Sequence, residues 1–481
     1  MRIPRILLTA PSSGSGKTLI TCGILNLLKR RRIEVASFKC GPDFIDPMFH
    51  TTVIGTKSRN LDTFFTDPDT TCYLFEKHAA ESQIAVMEGV MGFYDGVAGI
   101  STQASAYDVA RITGTPAVLL VDAKGASVSI AALIKGFAEY RQDSPIAGVI
   151  LNRLSPMMYS RMKELIEGET GVAVLGYVPV LKDCVLESRH LGLVLPGEVK
   201  QLQQKLDDLS EILEESLEVD KLLELAKSAG ELTYDKEKVS TVQFGLTCEP
   251  KGMPSEKIME NHESEVNNGL QKAKKVRIGL AQDEAFCFFY KDNLELLEDL
   301  GAELVPFSPL HDERLPEELD GFMLHGGYPE LYAEQLSGNR TMLDSIREAV
   351  ESGLPAIAEC GGFMYLHQEM EDMEGRAWPM AGVLEGRAFH TERLNRFGYI
   401  TLEGAGAFGM ETGPIPAHEF HYFDSTCCGD AFLAKKPLSK RSWRCVHSSV
   451  TLFAGFPHLY YYGNPRFAEA FIKRCEERGT R

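Results

Sequence analysis

The stretch Ala10-Pro11-Ser12-Ser13-Gly14-Ser15-Gly16-Lys17-Thr18 decides how the chain is read. It follows the apolar run Ile6 to Thr9 and leads into the helical pattern Leu19 to Lys29, the strand–loop–helix setting that a phosphate-binding loop requires. Glycines let backbone N–H groups wrap phosphate oxygens, so Ser13, Gly14, Ser15 and Gly16 are candidate ATP contacts. Lys17 would neutralise the β- and γ-oxygens, and Thr18 can ligate Mg²⁺. Pro11 stands where the plain G-x-x-x-x-G-K-T pattern has glycine.

Outward from this loop, short β-rich runs alternate with helical stretches: Ile6 to Thr9, Val35 to Phe38, Ile84 to Met87, Ala117 to Val121, Val149 to Leu151 and Val172 to Val178. Such alternation predicts a parallel sheet with crossover helices. Leu202, Leu206, Leu209, Leu213 and Leu217 recur at helical spacing among charged residues and predict an amphipathic helix closing this domain. Residues 230–275 turn polar, with Pro250, Gly252, Pro254 and Asn267-Asn268-Gly269, and read as a linker. From Val276 a second alternation begins, with strands at Arg277 to Leu280, Leu304 to Pro306, Phe322 to Leu324 and Ala356 to Ala358 and helices at Asn293 to Leu300 and Thr341 to Glu351. The expected organisation is an α/β P-loop domain over 1–229, a linker over 230–275 and a second α/β domain over 276–481.

Composition narrows the function. The 481 residues are 44% hydrophobic and 25% charged, as in a globular protein, and 50 Lys plus Arg against 68 Asp plus Glu leave a net charge of −18. That field repels nucleic acid and anionic membranes, while a local basic pocket still admits anionic small molecules. No run reaches the roughly 18 consecutive apolar residues of a membrane span, and the first ten residues read as a strand, not a signal peptide. Eleven scattered cysteines without a C-x-x-C pair predict reduced thiols in the cytoplasm.

Carboxylates gather at the predicted ligand end of the first sheet. Glu88 ends the strand Ile84 to Met87 and is a candidate Mg²⁺ contact. The stretch Lys39-Cys40-Gly41-Pro42-Asp43-Phe44-Ile45-Asp46-Pro47 brings a lysine and two carboxylates to the same end, and Asp122 and Asn152 end two further strands.

In the second half, Ala358-Glu359-Cys360-Gly361-Gly362 turns a short strand sharply into a helix with Cys360 at the corner, the logic of a nucleophile elbow. The helix N-terminus is expected to favour thiolate, and N–H groups of Gly361 and of the Gly326-Gly327 pair could hold an oxyanion. The thiol needs a base. His458 is a candidate, with His325, His390, His418, His421 and His447 competing on chemistry alone.

Taken together, APSSGSGKT from Ala10, FKCGPDFIDP from Phe38, RNLD from Arg59, MEGVMGFYDG from Met87, RHLGL from Arg189, HGGYPELYA from His325, AECGGFMYL from Ala358 and AHEFHYFD from Ala417 resemble the cobyrinic acid a,c-diamide synthase family of corrinoid-pathway glutamine amidotransferases. The resemblance implies a dethiobiotin-synthetase-like P-loop domain binding ATP and a tetrapyrrole, followed by a flavodoxin-like domain similar to class I glutamine amidotransferases. It implies ATP-dependent amidation of the a- and c-side-chain carboxylates of cobyrinate, through acyl phosphates, with L-glutamine or ammonia as nitrogen donor. Under it Cys360 is the nucleophile and His458 its base; Thr18, Glu88 and Asp43 hold Mg²⁺; Asn152 lies near the adenine; and Lys39, Asp46, Arg59 and Arg189 meet the substrate. Tyr460 occupies the place where most class I relatives carry an acid. Hydrogenobyrinate, nickel-sirohydrochlorin and the cobyric acid synthase reaction are the neighbouring alternatives, and a non-catalytic ATP-binding regulatory module is one of another class. Homodimerisation is open to such a chain. The two domains are expected to pack together, so that ammonia passes internally.

Overall fold

Parallel strands covered on both faces lose the in–out alternation of surface strands, and this is why the first half reads as unbroken apolar runs. The computed structural model describes residues 2–181, 196–239 and 275–479. Strands β1 (Arg5–Thr9), β2 (Val35–Cys40), β3 (Lys57–Leu61), β4 (Ile84–Glu88), β5 (Ala117–Asp122), β6 (Ile146–Asn152) and β7 (Ala173–Val178) form one parallel sheet in the order β3-β2-β4-β1-β5-β6-β7. The polar strand β3, Lys57-Ser58-Arg59-Asn60-Leu61, was not legible as a strand; it survives at an edge, where one flank needs no partner.

Helix α1 (Lys17–Arg30) follows the phosphate loop, and the predicted leucine helix spans Pro196–Ser216. Leu209 and Leu213 of the latter sit directly on Gly23 of α1, where a Cβ would come within 2.5 Å of Leu213. Each leucine buried there contributes about 1.5–3 kcal/mol. Residues 230–239, read as the start of the linker, pack on the first domain: Arg5 Nη2 donates to Gly230 O at 3.0 Å and Lys238 Nζ to Asp69 at 2.7 Å. Residues 240–274 of the predicted linker and Arg189 lie outside the described residues.

The second domain has a six-stranded sheet in the order Ala302–Phe307, Val276–Ala281, Gly321–Leu324, Ala356–Glu359, Leu452–Gly455, His447–Ser448, parallel except for the last. A five-stranded antiparallel sheet, which the sequence reading did not anticipate, runs Ser442–Cys445, Phe432–Lys435, Arg396–Gly404, Ile415–His421, His458–Leu459. The domains meet on the β3–β2 edge of the first sheet. Tyr399 stacks on Phe64 at 4.3 Å and donates its hydroxyl to Asp62, while Arg59 and His78 pair with Glu295 and Asp292. No described helix is long and apolar enough to cross a membrane.

Candidate active site

The phosphate loop depends on backbone that only glycine adopts freely: Gly14 and Gly16 have φ of +78° and +87°, and Gly16 caps α1. Its missing side chain also leaves room for Asn152, whose Nδ2 would lie 2.7 Å from a Cβ at Gly16 and donates to Ser15 O at 2.9 Å. Asn152, expected near the adenine, thus clamps the loop from the end of β6. Lys17 is buried, its ammonium donating to Ser12 O at 3.0 Å and Met91 O at 2.5 Å. Burial, helped by the nearby Lys39 charge, lowers its pKa to about 8. Asp122 pairs with Arg153 at the end of β5.

Beside this loop lies a carboxylate cluster. Lys39 on β2 and Glu88 on β4 are register neighbours, which brings Lys39 Nζ within 2.7 Å of Glu88 and 2.5 Å of Asp46. Thr18 Oγ1 is 2.7 Å from Glu88 Oε1 and 3.4 Å from Asp46 Oδ2. Burial pushes Glu88 up to about 7, whereas the Lys39 ammonium outweighs the burial of Asp46 and holds that carboxyl below its usual range. Glu88 Oε2 is buried without a hydrogen-bond partner. That oxygen faces the His50 imidazole at 3.5 Å, while on the Oε1 side Thr18, Glu88 and Asp46 bring hard oxygen donors together, a set that fits Mg²⁺. Asp43 stands outside this shell: its Oδ1 accepts from the N–H of Ile45 at 2.8 Å and of Asp46 at 3.4 Å, and its other oxygen is 3.9 Å from Lys39. Asp46, expected at the substrate, shares Thr18 with Glu88, while Asp43, expected at the metal, shapes the turn that presents Asp46. Arg59 is engaged across the domain seam, 2.5 Å from Glu295 and 3.8 Å from Asp292.

The second centre is built at the end of strand Ala356–Glu359. Cys360 has φ of +49° and ψ of −103°, a strained corner from which the helix Gly361–Tyr365 departs. The flanking glycines are steric necessities: a Cβ at Gly362 would lie 2.2 Å from Leu324 O, and one at Gly361 would lie 2.9 Å from Pro329 and 3.3 Å from Gly327 N. A Cβ at Gly326 would meet His458 Cε1 at 2.5 Å and Cys360 Cβ at 3.4 Å, so this glycine leaves room for the imidazole beside Cys360. Cys360, His458, Gly326, Gly327 and Gly361 therefore lie together.

The other histidines are placed differently. His447 bonds Cys427 O, His421 bonds Phe423 O and stacks on Phe456, and His390 packs on Phe423. His325 packs against Phe289, and His418 stacks on His458 with ring centres 5.0 Å apart. Contrary to the thiolate expectation, burial pushes the Cys360 thiol well up, with the Glu330 charge adding to it, and burial drives His458 well below its usual value, with neighbouring histidines adding. A five-residue helix does not offset that desolvation. The resting pair is a neutral thiol next to a neutral imidazole.

Tyr460 turns away from His458 and donates its hydroxyl to Asp292 at 2.8 Å. The carboxylate beside His458 is Glu359, whose Oε2 is 3.8 Å from Nδ1. Sequence reasoning missed it, although an acid ending the apolar strand Ala-Ile-Ala-Glu carries the same signal that singled out Glu88.

Residues 6–193 match the family described as the CobQ/CobB/MinD/ParA nucleotide binding domain, and residues 277–452 match the CobB/CobQ-like glutamine amidotransferase domain, with His458 just past its end. The cobyrinate a,c-diamide synthase of Listeria innocua is 40% identical over 469 residues, 96% of this chain and 97% of its own. That of Caldanaerobacter subterraneus is 36% identical over 480 residues, 99% of each chain, and that of Salmonella typhimurium 36% identical over 473 residues, 97% of each. A phosphate loop with its acidic cluster, a cysteine elbow with its imidazole, and full-length similarity at this level lead to one conclusion: the chain belongs to the cobyrinate a,c-diamide synthase family.

Proposed function

We propose that this chain is an ATP-dependent glutamine amidoligase that converts the a- and c-side-chain carboxylates of cobyrinate to amides in cobalamin biosynthesis. The observation that carries the reading is the presence, in one polypeptide, of a buried Cys–His centre and a separate phosphate loop, with Lys17 and Thr18, that meets Glu88 at the end of β4.

At the first centre His458 takes the Cys360 proton, and the sulfur attacks the carboxamide carbon of glutamine. The N–H groups of Gly327 and Gly361 receive the oxyanion. The C–N bond then breaks as the imidazolium returns its proton to the departing ammonia, and water hydrolyses the thioester to glutamate. Glu359 stands at Nδ1 of His458, where it orients the ring and supports its cationic form.

At the second centre a substrate carboxylate oxygen attacks the γ-phosphorus of ATP, ADP leaves, and an acyl phosphate results. Lys17 and the loop N–H groups hold the phosphates in line. Thr18, Glu88 and Asp46 would hold Mg²⁺, which supplies charge neutralisation for the transferring group. Ammonia adds to the acyl carbon, phosphate departs, and loss of a proton leaves the amide. Ammonia in water is mostly protonated at neutral pH, so release inside a closed protein keeps it nucleophilic. Lys39, Arg59 and Arg189 are the cations that the resemblance assigns to the substrate's carboxylates; Lys39 is ion-paired with Asp46 and Glu88 and Arg59 with Glu295.

A substrate panel tests the reading. With ATP, Mg²⁺ and glutamine, mass detection should find two added amides on cobyrinate. Preference for hydrogenobyrinate or nickel-sirohydrochlorin would move the assignment to that ring, and more than two amides would move it to the cobyric acid reaction.

A further inference from the structure

One side chain of the P-loop domain reaches the imidazole of the other domain. Phe44 lies between Asp43 and Asp46 in sequence, yet its ring is nearly buried against the second domain. Its ring centre is 5.1 Å from that of His458, 5.7 Å from His418, 4.5 Å from Tyr290 and 5.3 Å from Phe288, on which it stacks. The backbone beside it is tied down as well, since the Tyr290 hydroxyl donates to Pro42 O at 3.3 Å. Aromatic contacts of this kind contribute about 0.5–1.5 kcal/mol each beyond their buried area.

The turn carrying Phe44 is stiff. Asp43 Oδ1 accepts from the next two backbone N–H groups of the chain after Phe44, and Asn60 Nδ2 on β3 donates to Gly41 O at 2.9 Å and Asp43 O at 2.7 Å. On the far side of the same turn, Asp46 contacts Lys39 and Thr18 of the triphosphate cluster. One short turn thus sets a carboxylate at the triphosphate cluster and, two residues before it, an aromatic ring at the imidazole. Nδ1 of His458 is buried without a hydrogen bond, and Gly326, His418, Glu359 and Phe44 are among the groups packed around the ring.

We propose that Phe44 is a positioning residue through which the P-loop domain sets the imidazole of His458, so that glutamine cleavage answers to occupancy of the triphosphate cluster. The proposal rests on the assignment of Cys360 and His458 as the glutamine-cleaving pair. It gives the GPDFID turn a task that neither domain could perform separately, because the ring and the carboxylate belong to one side of the seam and the imidazole to the other.

The test measures covalent labelling of Cys360 by 6-diazo-5-oxo-L-norleucine, followed by intact mass, on the full chain with and without Mg²⁺ and ATP. Wild type, Phe44→Ala and Phe44→Leu are compared; the leucine variant keeps apolar bulk should the alanine variant fold poorly. Nucleotide should accelerate wild-type labelling at least about fivefold, as for a typical coupling between sites, and by less than about twofold in both variants. In turnover, glutamate and amide should form in equal amounts with wild type, with glutamate in excess for the variants. A nucleotide response in Phe44→Leu equal to that of wild type overturns the proposal, as does a wild type whose labelling ignores nucleotide. Wild type that is not labelled at Cys360 at all overturns the glutaminase assignment beneath it, which separates the two failures.

Discussion

Glu359 Oε2 lies 3.8 Å from Nδ1 of His458, and both side chains are buried. The acid beside the imidazole thus comes from the residue preceding Cys360, and the place two residues after the histidine goes to Tyr460, which serves the domain seam through Asp292. The arrangement also carries a pH signature, because burial pushes Glu359 up to about 8.

Ionised Glu359 stabilises the imidazolium formed during cleavage, so glutaminase turnover is expected to rise as pH climbs through about 8. Glu359→Gln keeps the side-chain volume and removes that rise, lowering turnover at pH 8.5 by roughly tenfold or more. The linkage to stability has the opposite sign: the folded state keeps a proton that the unfolded state releases above 4.5, so this group's contribution to stability falls between pH 4.5 and about 8. Glutamate release against pH, with thermal unfolding alongside, reads both effects. An unchanged profile in the variant would remove Glu359 from the centre.

Cys360→Ser separates the two halves of the reaction. Glutamine-driven amide formation should vanish, while ammonia-driven formation, assayed at high ammonium concentration above pH 8, should continue. Loss of both in a folded protein would refute two separate sites.

Lys17 must be protonated to hold phosphate, and burial lowers its pKa to about 8. Nucleotide affinity of the free protein should therefore weaken above that pH, approaching about tenfold per unit, while it stays level between pH 7 and 7.5. Titration of a fluorescent ATP analogue from pH 7 to 9.5 checks this; a flat profile would argue that the ammonium stays charged throughout.

Asp46 and Asp43 separate by role. Asp46→Asn should lower ammonia-driven amidation by about 100-fold and raise its Mg²⁺ requirement, because it removes an anionic ligand beside Thr18. Asp43→Asn keeps an acceptor for the turn and should cost about 1 kcal/mol of stability with a smaller rate effect. The reverse ranking in a Mg²⁺ titration would return the metal to Asp43.

Local chemistry made much of this readable. The phosphate loop, Glu88 at the end of β4 and Cys360 between a strand and two glycines are each announced by neighbours within a few residues, because a tight turn or a sheet end is a local requirement. Strand β3 was hidden by its polar residues, and the antiparallel sheet that carries His458 was hidden by the glycine, proline and charged residues of Arg396–Gly404 and Ile415–His421 and by the two-residue length of His458–Leu459. The roles of Asp43 and Asp46 could not be told apart by spacing, since both lie near Lys39 and only side-chain direction decides which one faces Thr18.

From the order of residues alone come two α/β units, the cysteine corner, the phosphate loop and the family. Which of six histidines stands beside Cys360, which acid faces that histidine, and that Phe44 spans to it from the other domain were decided by tertiary packing. The reason is physical: turns and sheet ends are set by neighbouring residues, whereas a contact between positions 44 and 458 exists only once two separately built sheets have buried a common face.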